Sequence, residues 1–191
     1  MFDITTSIDF YTMLVQDYDE YMAETHLARK ALHCAIVAYH LREWVWKDWL
    51  EHDLPAQKAI GIRDESSFNN WVNRSCVWFP ILRDIVNGTK HFKDKHTFET
   101  MRVMAAPFAF GQVTSGFGEG AWDGPIRYVE GSLPVGLHGE GYLLLDLGGE
   151  TGEHRWLPVA HLIEIVVRFW RDFFTQFRPT ANLTHSKHHP F

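Results

Sequence analysis

The densest chemistry in the chain lies in Arg83–Phe92, where Arg83, Asp84, Asn87, Lys90 and His91 fall within ten residues. On a helix, Asp84, Asn87 and His91 stand at i, i+3 and i+7 and share one face. Imidazole exchanges protons near neutral pH, and guanidinium is a natural partner for phosphate charge. An acid or amide one or two turns away can orient the imidazole. Together these are the parts of a metal-independent ribonuclease: a base for the 2′-hydroxyl and a cation for the phosphorane-like transition state. The catalytic candidates are therefore Arg83, Asp84, Asn87 and His91, with Lys90 and Lys93 as substrate-binding cations. The same residues also admit a plainer assignment. Asn87-Gly88 can be a helix C-cap and turn, leaving Lys90 and His91 beyond the helix end, where positive charge suits the dipole.

Other clusters carry less. His26, His33 and His40 have heptad spacing and lie on one stripe of a helix. Neighbours in that stripe are about 10 Å apart, too far to share a metal, so hydrogen bonds between helices or a dimer seam suit them better. No metal or cofactor is expected. Trp44, Trp46 and Trp49 with Lys47 could stack bases, although aromatic residues at this density more often build core or interface. Gly116–Gly120 lacks the Lys-Ser/Thr of a phosphate loop and reads as a glycine loop. His185, His188 and His189 lie in a terminal segment and receive no role.

The elements that must position these groups are mostly helical. Apolar spacing predicts helices over 8–22, 24–52, about 66–75, 77–87 and 158–177, with Pro55 and Gly61 closing the second and Ser66 or Ser67 capping the third. Pro80 falls in the first turns of the fourth, where its missing N–H is tolerated. Twelve of the 14 glycines lie between Gly111 and Gly152, and Val103–Phe110, Tyr142–Leu147 and His154–Leu157 are strand-compatible. The expected plan is one helical domain over 1–177, a β-rich insertion at about 103–157, and a flexible tail over 178–191.

Composition bounds the partners. With 191 residues, 46% of them hydrophobic and 15% aromatic, the chain can bury a sizeable core. A formal charge of −6 provides no global basic field, so DNA is not expected and RNA contact falls to the local Arg83, Lys90, Lys93 and Lys95 cluster. Cys34 and Cys76 read as buried free thiols of a reducing compartment. The first residues lack a basic leader, and no apolar run reaches membrane-spanning length. A cytoplasmic protein is the expectation.

Arg83-Asp84 followed by His91 resembles the HEPN superfamily of helical bundles, whose ribonuclease members carry an Arg, a polar residue and a His further on. The segment is also similar to the Asp-x-x-Asn-x-x-Lys-His pattern of uncharacterised bacterial bundle proteins, here Asp84, Asn87, Lys90 and His91. Those proteins pair a Tyr-His-Leu-x-x-Trp helix, here Tyr39-His40-Leu41 with Trp44, with a late β-hairpin and a closing Phe-Trp-x-x-Phe helix. The resemblance implies a mainly α, HEPN-like antiparallel helical bundle with a small Gly-rich β-hairpin insertion before the last helix. It further implies a homodimer and a ribonuclease of defence or toxin type. A non-catalytic bundle binding a protein partner or small ligand is the alternative. One spacing departs from the family: seven residues lie between Arg83 and His91. On an ideal helix that sets the two side chains about 80° apart.

Overall fold

The computed structural model describes residues 4–25, 27–90, 101–104, 142–146 and 156–188. Six α-helices are present among them: α1 (Ser7–Met22), α2 (Ala28–Asp48), α3 (Leu54–Ile60), α4 (Glu65–Ser75), α5 (Phe79–Lys90) and α6 (Val159–Phe177). Three short strands, β1 (Met101–Met104), β2 (Tyr142–Asp146) and β3 (Trp156–Pro158), form an antiparallel sheet in the order β1-β2-β3. Met101 pairs with Leu145 and Leu145 with Leu157. The chain is thus mainly helical. Most of the 103–157 insertion, including Gly116–Gly120, lies outside the described residues. Among the described residues no helix is long and apolar enough to cross a membrane.

Helix ends follow local chemistry. Thr6 caps α1, its hydroxyl accepting from the Asp9 amide while the Asp9 carboxylate accepts from the Thr6 amide. The long helix expected over 24–52 is shorter. It starts at Ala28, ends at Asp48, and is followed by a separate 3₁₀ turn at Leu50–His52. Pro55 and Gly61, expected to close that helix, instead bracket α3. Asp53 caps α3 by accepting from the Ala56 amide at 2.9 Å, Pro55 sits in its first turn, and Gly61 ends it in the left-handed region at φ 81°. Proline is tolerated there because the first amides of a helix have no intrahelical acceptor. Asp64, rather than Ser66 or Ser67, caps α4, and the Ser67 side chain reciprocates from the third position.

The core comes from matching stripes. Tyr11, Leu14, Tyr18 and Tyr21 of α1 meet Ala31, Cys34, Ala35, Ala38, Leu41 and Val45 of α2, and Leu162, Val166, Trp170 and Phe174 of α6 close over both. Three alanines on one face of α2 let the neighbouring helices approach closely. Each large side chain removed from water contributes about 1.5–3 kcal/mol. Trp71 adds a second aromatic cluster, with ring centres 5.5 Å from Phe173 and 5.9 Å from Phe177. Cys34 and Cys76 are buried and free, and burial pushes both thiols above their ordinary range.

The segment after α6, read from sequence as a flexible tail, lies along α1 as far as it is described. Arg178 donates to the Ser7 hydroxyl at 3.2 Å and covers the Trp49 ring, its carbon 5.2 Å from the ring centre. Further on, the Thr184 and Thr12 hydroxyls stand 3.1 Å apart. The Ser186 hydroxyl and the Lys187 amide both donate to Asp19, at 2.6 and 3.1 Å.

Candidate functional site

Helix α5 carries the first candidate set. Phe79, Leu82 and Val86 are buried against the bundle, with α2 as the main neighbour, and Ile81 and Ile85 are half-buried. Arg83, Asp84 and Asn87 fall outside that stripe and are each partly accessible. The helix does not stop at Asn87-Gly88. It continues to Lys90, so the turn assignment is replaced by a helical one. A glycine inside a helix costs about 1 kcal/mol relative to alanine. Burial of Phe79, Leu82 and Val86 offsets that cost several times over.

Within the set, the structure brings Arg83 and Asp84 together. Nε and Nη2 of Arg83 both reach Asp84 Oδ1 at 2.9 Å, with the side chains 44% and 27% exposed. The guanidinium therefore already faces a carboxylate, and a phosphate at this edge must compete with it. Asp84 and Asn87 share the helix face at i, i+3. Lys90 is the last helical residue, and His91 and Lys93 lie outside the described residues.

The remaining clusters separate. Trp46 and Trp49 are buried core residues, Trp46 beside Phe68 and Trp49 beside Phe173, and Trp44 stacks on Phe10 at 4.8 Å. They form no open stacking platform. His33 of α2 reaches Asp17 of α1, Nδ1 to Oδ2 at 3.1 Å, an interhelical contact. Burial raises the Asp17 carboxyl, and the His33 charge works against that rise. His26 lies outside the described residues, so the heptad stripe is seen only at His33 and His40. Among the described residues no three His, Cys, Asp or Glu side chains cluster as metal ligands would.

Tyr39 and His40, noted in the sequence for other reasons, lie with Arg42, which was not singled out, on α2, one helix away from Arg83. His40 Nδ1 is 3.4 Å from Glu43 Oε2, and Arg42 Nη2 is 3.9 Å from Glu43 Oε1. Arg42 Nη2 also donates to the Tyr39 hydroxyl at 3.2 Å, and the guanidinium carbon lies 4.7 Å from the centre of the Tyr39 ring. Tyr39 in turn stacks on Phe79 of α5 at 5.8 Å. The signal available in sequence was the pair of i, i+3 spacings, Tyr39 to Arg42 and His40 to Glu43.

Compared with known proteins, the chain matches no family model, no curated protein and no solved structure.

Proposed function

We propose that the chain is a HEPN-like helical-bundle protein that cleaves RNA without a metal at the α5 edge. Continuity of α5 through Asn87-Gly88 to Lys90 is the observation that supports this reading. It keeps Asp84 and Asn87 on one helix face and leads the chain directly to His91. In the proposed step, His91 takes the proton of a 2′-hydroxyl as that oxygen attacks the adjacent phosphorus. The bond from phosphorus to the 5′-oxygen breaks, a 2′,3′-cyclic phosphate forms, and the 5′-oxygen leaves as a hydroxyl after accepting a proton from water. Arg83 faces the developing charge on the non-bridging oxygens, Asp84 and Asn87 orient the imidazole, and Lys90 and Lys93 hold the backbone. Arg83 and His91 diverge on a regular helix, so a homodimer in which a second copy completes the pair belongs to the same proposal. So do a cytoplasmic location, a β-hairpin insertion before α6, and a role of defence or toxin type.

A second reading has its own observation. Arg83 is held by Asp84 at 2.9 Å, as in a structural polar network on a non-catalytic bundle that binds a protein partner or small ligand. Cleavage of a fluorogenic RNA by wild type and His91→Ala, with melting temperatures measured in parallel, separates the two. The ribonuclease reading expects cleavage lost in the variant with melting unchanged. Equal RNA cleavage by both proteins, or none by wild type, overturns it. A stability loss of about 1–3 kcal/mol without any cleavage by wild type is the outcome the structural network expects.

A further inference from the structure

We infer that Tyr39, His40 and Arg42 on α2 form a binding site for a tetrahedral phosphate group, separate from the α5 edge. Arg42 carries the argument. Its side chain is only 12% exposed, so its charge lies largely out of water. The nearest carboxylate among the described residues, Glu43, stands 3.9 Å away, beyond hydrogen-bond reach, and Nε has no hydrogen-bond partner among them. One good donor contact, to the Tyr39 hydroxyl, is a small return for five N–H groups. A buried guanidinium in this condition is costly until an anion meets it.

His40 adds a ring nitrogen that can donate. Its Nδ1 faces Glu43 at 3.4 Å, and its side chain is 27% exposed. Glu43 therefore sits between the two basic groups at a long distance from each. At 50% exposure it can swing into solvent at little cost. A phosphate has the matching geometry for Arg42, accepting two parallel N–H bonds where Glu43 offers none. The Tyr39 hydroxyl supplies a neutral donor beside them. A phosphodiester of RNA and a free phosphate present the same oxygens to this cradle, and occupancy does not require cleavage at α5.

The test is a titration of the ¹⁵N-labelled full chain, following Arg42 Nε–H and the His40 ring by NMR. One arm uses inorganic phosphate and the other a short single-stranded RNA, both against chloride at equal ionic strength. Saturable shifts of both groups in either arm support the site, and the arm that saturates first identifies the source of the phosphate. Arg42→Lys keeps the charge and the stem but not the fork, and is expected to weaken binding about tenfold, the scale of one charge-assisted hydrogen bond. Glu43→Gln removes the competing charge and tightens binding, which a purely structural network does not do. Shifts that follow chloride equally, the same affinity in Arg42→Lys, or loss of binding in Arg83→Ala would each overturn the inference. His91→Ala leaves it untouched, so failure of the ribonuclease reading is read separately.

Discussion

The indole Nε1 of Trp170 in α6 donates to the backbone carbonyl of Ala38 in α2 at 3.0 Å, in the middle of the core. Trp170 is fully buried and touches Phe79, Phe169, Phe173 and Phe174. The bond ties α6 to α2 within the packed core. Trp170→Phe deletes it and leaves space where the second ring was. The expected cost is about 1–3 kcal/mol. For a chain of this size each kcal/mol lowers the melting temperature by roughly 2–4 °C. Thermal and urea denaturation check it, and a variant that melts with wild type means the bond contributes nothing.

Stability is expected to fall on the acid side for an identifiable reason. Hydrogen bonds from the Thr6 hydroxyl, the Ala56 amide and the Ser67 amide hold Asp9, Asp53 and Asp64 below the ordinary carboxyl value of 3.8. A carboxyl whose folded pKa is depressed stabilises the fold above its unfolded pKa and loses that contribution as pH falls through the folded value. Asp17 works the other way. Burial raises it, so protonation relieves a cost there. Three hydrogen-bonded carboxylates against one buried carboxyl predict a urea midpoint that declines from about pH 5 downward. Asn caps helices as well as Asp but does not titrate. The double variant Asp53→Asn, Asp64→Asn is therefore expected to keep its neutral midpoint and to show a shallower acid decline. An unchanged acid limb removes the caps as its cause.

Gly61 gives a clean test of backbone strain. It closes α3 at φ 81°, and a Cβ added there meets nothing within 4 Å. Packing is therefore not at stake, only the left-handed conformation. Gly61→Ala is expected to cost about 1 kcal/mol, and Gly61→Asn less, because asparagine enters that region more readily. Equal stability of all three proteins in urea would show that the turn relaxes.

The helices that could be read from sequence are those whose apolar spacing agrees with their packing. Leu14, Tyr18 and Tyr21 in α1, Ala31, Cys34, Ala35, Ala38, Leu41 and Val45 in α2, and Leu162, Val166, Trp170 and Phe173 in α6 are buried as their periodicity implies, whereas Ile165 and Phe169 are half-buried. α3 was missed because Pro55 and Gly61 look like punctuation between helices and instead open and close one. At Asn87-Gly88 the local breaker tendency lost to the buried stripe of Phe79, Leu82 and Val86. The candidate site was legible in part. Arg83 and Asp84 are neighbours in sequence and meet in space, whereas the burial of Arg42 is a tertiary property that no spacing reveals. His40 and Glu43 are one turn apart in sequence and do face each other, at 3.4 Å.

The docking of residues 178–188 on α1 has a consequence for how the chain is made. Thr12 and Thr184 meet across 172 residues, and Asp19 waits for Ser186 across 167. At ribosomal speeds of roughly 5–20 residues per second, α1 emerges on the order of ten to thirty seconds before the segment that covers it. During vectorial synthesis α2 is the first partner available to the tyrosine-lined face of α1, and α6 reaches it only later. The last contacts of this fold therefore form only after most of its residues have been made.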